Sequence, residues 1–239
     1  MFSKTMSSQQ VDESQSSYTS PGVTGFILAG GKSSRYGSNK ALVEVDGIRL
    51  IDRAVRVMKG VFKNIIILTN TPADYAFLNL PMVEDIIKGL GPIGGIYTGL
   101  EIMPEQAGFF VACDMPFLNE ALLRHMVAVR GTFDAVVPRM GWMLEPLHAI
   151  YTRPCLPVIK ASIDSHEYQL LKCFSKFRIK YLDEEELRTF DPELRSFFNI
   201  NQPKDLPQDP VKKTVGQPTS PPLSKIPDTG VGEDKGEGK

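Results

Sequence analysis

Two stretches of this sequence carry groups suited to reaction chemistry. In "LAGGKSSRYGSNK", residues 28–40, adjacent glycines are followed by Lys32, Arg35 and Lys40. In "FFVACD", residues 109–114, an apolar run closes on Asp114. Glycines let bare backbone N–H groups approach phosphate oxygens, because no Cβ intervenes. Arg35 can then clamp two oxygens with its planar fork, while Lys40 acts as a point charge. Lys32 is read as exposed. A carboxylate at a strand end suits Mg2+, which takes few protein carboxylates and fills its shell with water and phosphate oxygens. The chemistry these groups suit is reaction at a polyphosphate.

The glycine stretch is neither of the two familiar phosphate loops. A P-loop needs a glycine five residues before its Gly-Lys pair, and that position before Gly31 is Phe26. Gly25 has the right distance only to Gly30, which is followed by Gly31 and not by lysine. The dinucleotide pattern also fails, because Gly30 and Gly31 are adjacent and the next glycine is Gly37. Phe26-Ile27-Leu28-Ala29 is an apolar run suited to a buried strand, so the loop opens at Ala29-Gly30-Gly31. Lys40, at its far end, is then expected to matter more than Lys32.

These residues need elements to hold them. Strands are expected at Val23–Leu28, Asn64–Asn70, Met82–Asp85 and Gly108–Asp114. Helices are expected at Ile48–Phe62, with Ile51, Ala54, Val55, Met58 and Val61 on one face, at Ile93–Met103, and at Asn119–Arg130 with Asn119 as N-cap. "DAVVPR" and "LHAIYT" read as a strand pair joined through "MGWMLEP". Helical segments around Pro154–Phe177, a strand "RIKYL" and a short strand "FFNIN" complete the pattern. The alternation predicts an α/β fold, a three-layer sandwich around a Rossmann-like, mostly parallel sheet. In such sheets ligands gather at the carboxyl ends of the strands. Gly30, Gly31, Asn70, Asp85, Asp114, Asn199 and Asn201 all fall at such ends. Turns also favour Gly, Asn and Asp there, so any one of them alone is ambiguous. "GLGPIGG" can bring backbone close to a ligand, and a helix-entry turn explains it equally well.

Composition bounds the remainder. The chain has 239 residues, 42% hydrophobic and 23% charged, with a net charge of −1. That suits one domain, placed at 23–206, of roughly 180 residues. The tails 1–22 and 207–239 are polar or rich in Pro, Gly and Lys, and are expected to be disordered. No basic field points to nucleic acid. No apolar run approaches the ~20 residues of a membrane span. The first residues lack the apolar core of a secretory signal, and the three cysteines are scattered, so a reduced, cytoplasmic protein is expected. His125, His148 and His166 have no metal-ligand spacing. Glu184-Glu185-Glu186 reads as a solvated helix start, Cys113 as inert packing and Trp142 as the filling of a hairpin.

Four motifs in order carry a resemblance: the glycine loop, "GPIGGI" after Asp85, "CDMPF" at Cys113–Phe117 and "FFNINQPKDL". With them the chain resembles the molybdenum cofactor guanylyltransferases, within the nucleotide-diphospho-sugar type of nucleotidyltransferases. Tyr36 stands where that pattern has methionine, and neither tail belongs to it. The resemblance implies transfer of GMP from GTP to the phosphate of molybdopterin or molybdenum-molybdopterin, with release of pyrophosphate. It implies Leu28, Ala29, Gly30, Gly31, Lys40, Asn70, Asp85 and Asp114 at the nucleotide, Arg35, Lys40 and Asp114 in catalysis, and Asp114 on Mg2+. Asn199 and Asn201 become candidates for the acceptor or the metal. Molybdoenzymes or other cofactor-assembly proteins would be its protein partners. CTP or a sugar phosphate as substrate, or a non-catalytic nucleotide- or pterin-binding role, remain as alternatives.

Overall fold

A computed structural model describes residues 22–30, 40–45 and 47–200, with the side chains of Lys40 and Val45 left aside. The readings for both tails and for Gly31, Lys32, Arg35 and Asn201 lie outside the described residues.

Five apolar runs form parallel-type strands: β1 (Val23–Leu28), β4 (Ile65–Leu68), β5 (Met82–Val83), β6 (Ala107–Ala112) and β7 (Ala135–Met140). Between β1 and β4 the chain makes a 3-10 helix Lys40–Leu42, a small hairpin of β2 (Glu44–Val45) and β3 (Ile48–Arg49), and helix α1 (Leu50–Val61). That hairpin corrects the expected helix start. Ile48 and Arg49 pair with Val45 and Glu44, so helical geometry begins only at Leu50. The other helices in the first part are α2 (Pro92–Ile102) and α3 (Glu120–Val129), the latter capped as expected by Asn119 accepting from Leu122 N at 3.0 Å. Then follow β8 (Met143–Leu144), β9 (His148–Thr152), α4 (Cys155–Asp164), a 3-10 helix Leu170–Lys176, β10 (Ile179–Asp183) and α5 (Glu184–Arg188).

The main sheet has the order β10-β7-β9-β6-β1-β4-β5, with β8 on β7. β1 is parallel to both β4 and β6, β4 to β5, and β7 to β10, while β9 alone on this path runs opposite to its two neighbours. Side chains alternate across the pleat. Ile27 and Phe109 join one core with Ile51, Met58 and Leu122, which come from α1 and α3. Phe26 and Phe110 face the other way, into a core with Ile96, Leu100 and Ile159 from α2 and α4. The result is the expected three layers. Phe26 and Phe110 stack at 4.7 Å across β1 and β6, while Phe62 from the helix side stacks on Phe109 at 5.4 Å.

"FFNIN" is not a strand. Arg195–Phe197 is a 3-10 turn, and residues 198–200, the last described, make no sheet pairing. Ile200 N donates instead to the carbonyl of Asp114 at 2.9 Å, so the segment is spent on clasping the β6 exit.

Candidate active site

The chain runs outward from β1 to β4 and β5, then crosses back to place β6 on the other side of β1. At such a reversal the connections leave on opposite faces and open a crevice beyond the carboxyl ends. Leu28 is in register with both Leu68 and Ala112, so Gly30 and Asp114 leave the sheet at one level. A cleft of about 310 Å³ lies there, lined by Gly30, Asp85, Gly91, Asp114, Glu145 and Asn199 among others.

Each wall has its own support. Ala29 N donates to Leu68 O at 2.9 Å. The sheet ladder therefore consumes this N–H, and Ala29 cannot offer it to a phosphate as the sequence suggested. The next N–H, that of Gly30, has no bond to this ladder among the described residues, and Gly30 is exposed. Asn70 and Asp85, beyond β4 and β5, hold each other: Asn70 Nδ2 donates to Asp85 Oδ2 at 2.8 Å, and Asp85 N donates to Asn70 Oδ1 at 3.1 Å. Asp85 and Leu28 line the cleft, while Asn70 stands behind Asp85. The next residue is fixed by Thr98, whose hydroxyl accepts from Ile86 N at 2.9 Å.

Helix α2 points its N-terminus at the same space. Its N-cap is Gly91, with φ 70° and no side-chain cap, and Pro92 opens the helix. Gly91, Pro92 and Gly95 line the cleft, so the "GPIGG" run both turns the chain and meets the site. A Cβ on Gly95 would lie 2.3 Å from Leu28 Cδ2, which shows how closely the first turn packs on β1. Uncapped N–H groups at a helix start favour negative charge.

Across the cleft, Asp114 is half-buried after β6 and takes Ile200 N on its carbonyl. Ser196 reinforces the clasp, its Oγ donating to Phe117 O at 3.2 Å and its N to Asp191 Oδ2 at 2.7 Å. This brings Asn199 into the cleft beside Asp114. The 3-10 helix at Lys40 ends the glycine loop, and its following residue, Ala41, is fully buried.

Glu145, Pro146 and Leu147 complete the lining, and sequence reasoning missed them. The loop is tied down by Glu145 N donating to Pro138 O and Ala112 N donating to Leu147 O, at 3.1 and 3.0 Å. Burial pushes the Glu145 carboxyl above its ordinary value. The available signal was "EPL" entering a strand, but only the insertion of β9 beside β6 brings it here. Trp142 differs from its reading as hairpin filling: at the β7–β8 turn it is 92% exposed. Glu186 is not simply solvated either, since it meets His125 Nε2 at 2.7 Å.

Residues 25–180 match the family model described as the MobA-like NTP transferase domain. The chain belongs to that family. It is 38% identical over 186 residues to a molybdenum cofactor guanylyltransferase of Desulfosudis oleivorans, covering 77% of this chain and 92% of that protein. The structure of molybdopterin-guanine dinucleotide biosynthesis protein A from Archaeoglobus fulgidus superposes with a TM-score of 0.67 at 28% identity, covering 76% of this chain and 94% of that one. A 4-diphosphocytidyl-2C-methyl-D-erythritol synthase of Anaerococcus prevotii shares the fold alone, at 13% identity and TM-score 0.58, over 77% of this chain and 92% of that one. This MobA-like domain is therefore a nucleotidyltransferase of the nucleotide-diphospho-sugar type. No described helix of it is long and apolar enough to cross a membrane.

Proposed function

We propose that the protein transfers GMP from GTP to the terminal phosphate of molybdopterin, with or without molybdenum. An acceptor phosphate oxygen forms the new bond to the α-phosphorus. The bond from that phosphorus to the bridging oxygen of the β-phosphate breaks, and its electron pair leaves with pyrophosphate. The acceptor is already an anion, so no side-chain nucleophile is needed, and catalysis is positioning and charge neutralisation. The observation that carries the reading is a cleft at the sheet's reversal point that joins Gly30, the braced Asp85, the α2 N-terminus and Asp114.

Guanine is favoured by Asp85. Asn70 engages one carboxylate oxygen and leaves Oδ1 for a ligand. Guanine presents N1–H and an amino group side by side to such an acceptor, whereas cytosine presents its amino group alone, and an unmatched polar edge is penalised in a closed site. Gly30 and the positive N-terminal end of α2 take phosphate oxygens, with Gly31, Arg35 and Lys40 as the cationic and backbone remainder of the loop.

The residues fit a magnesium ion. No described group of three or more His, Cys, Asp or Glu forms a closed metal cage, and Mg2+ uses one or two protein oxygens with phosphates and water. Asp114 would hold it, with the Asn199 amide oxygen lining the same cleft for the ion or the acceptor phosphate, and Asn201, outside the described residues, as a further candidate. The ion would supply charge neutralisation at the phosphates. The deciding experiment is pyrophosphate release with Mg2+ and molybdopterin, using GTP, CTP and ATP in parallel. Release with GTP alone supports the reading, equal or greater release with CTP would overturn the base assignment, and tight GTP binding without release would leave a binding protein.

A further inference from the structure

Glu145 is anomalous among the groups lining the cleft. Asp85 is braced by Asn70, and Asp114 sits at the clasped end of β6. The Glu145 carboxylate makes no hydrogen bond or ion pair among the described residues, although its backbone is held at both its N–H and its C=O. A half-buried carboxylate without a partner is unfavourable unless something else satisfies it. Burial alone raises its pKa. Among the described residues none is left to satisfy the carboxylate, and a ligand bearing donors in the cleft fits that need.

The sheet order says which ligand. β1, β4 and β5, with Asp85 and α2, form one flank of the cleft, whereas Glu145 precedes β9 on the opposite side of β6. The nucleotide occupies the first flank in the function proposed above, so the second receives the acceptor. An acceptor phosphate would be repelled by Glu145 and belongs nearer Asp114 and Asn199. The other end of a pterin is different: its N3–H and 2-amino group are parallel donors, matching the two oxygens of a carboxylate.

We propose that Glu145 sets acceptor specificity by receiving the N3–H and 2-amino donors of the pterin ring. The inference rests on the pterin acceptor of the preceding section. Its test uses the full chain, with Glu145→Gln as an isosteric variant. Two probes are titrated by fluorescence: 6-hydroxymethylpterin phosphate, and the lumazine counterpart whose 2-amino group is a carbonyl. Wild type should bind the pterin probe about ten- to a hundredfold better than the lumazine, as for a hydrogen bond to a charged group. In Glu145→Gln that preference should collapse, KM for molybdopterin should rise by a similar factor, and KM for GTP should stay unchanged. Equal binding of both probes by wild type overturns the proposal without any variant. So does a variant that alters the Mg2+ requirement while leaving KM for molybdopterin unchanged. A wild type that prefers the pterin probe yet makes no guanine dinucleotide sinks the reaction assignment and leaves Glu145 as a pterin-recognition residue.

Discussion

Asn70 and Asp85 form a two-point clamp, the side-chain amide donating to the carboxylate while its oxygen accepts from the Asp85 backbone N–H. One N–H and one oxygen lone pair of the amide are thus used in aiming Asp85 at the cleft. In the proposed function Asn70 would act on the nucleotide by aiming Asp85, beside the direct base or ribose contact the sequence suggested. Asn70→Ala should therefore lower kcat/KM for GTP by about tenfold or more, the worth of one charge-assisted hydrogen bond. Asp85→Asn should erode the preference for GTP over ITP, which lacks the 2-amino donor. Unchanged discrimination between GTP and ITP in Asp85→Asn would remove Asp85 from base recognition.

The backbone carbonyl of Asp114 accepts from Ile200 N at 2.9 Å. Replacing the side chain by asparagine keeps that bond and the shape. Asp114→Asn should retain the wild-type melting temperature while turnover falls about 10²- to 10³-fold, as for loss of a group aimed at developing charge. Near-normal turnover at saturating Mg2+ would place the metal elsewhere.

Glycines on the two sides of the sheet end separate packing from ligand approach. A Cβ on Gly99 would lie 2.4 and 2.8 Å from the Phe110 ring, which is itself stacked on Phe26 and cannot yield. Gly99→Ala should cost about 1–3 kcal/mol in urea unfolding. Among the described residues a Cβ on Gly30 comes no closer than 4.0 Å to its nearest neighbours, Leu68 O and Thr69 Cα. Gly30→Ala should fold as the wild type does, and a rise in KM for GTP would then report phosphate approach alone.

His148 is fully buried between Phe109 and Phe197, and neither ring nitrogen has a hydrogen-bond partner among the described residues. Burial lowers its pKa to about 3, against a smaller opposing pull from Asp191. Below about pH 6.5 the unfolded chain takes up a proton that the folded protein refuses, so this contribution to stability is complete above that pH and is lost as the pH falls toward 3. The slope is at most about 1.4 kcal/mol per pH unit. His148→Leu should abolish that component, seen as a flatter plot of unfolding free energy against pH. At pH 7 it should be neutral or stabilising, because an unsatisfied polar ring is removed. Identical acid slopes in both proteins would show that His148 protonates in place.

The sequence by itself determined the elements and the ends at which chemistry gathers. Apolar runs such as Phe26–Ala29 and Phe109–Ala112 are local patterns, and their polar terminators Gly30 and Asp114 follow in the chain, so a parallel sheet places them on one edge. Tertiary structure alone decided what faces them. β9 inserts between β6 and β7 because buried strands pair by global packing, and that order carries Glu145 to the cleft. Ile48 and Arg49 lie in a helical pattern yet pair with β2, since the hairpin satisfies their backbone first. Asn199 reaches Asp114 through a backbone bond from Ile200 across the length of the second half of the domain. Asn70 meets Asp85 across the parallel β4–β5 pair in the same way. Contacts between residues far apart in the chain depend on strand order and register, which neither composition nor periodicity encodes.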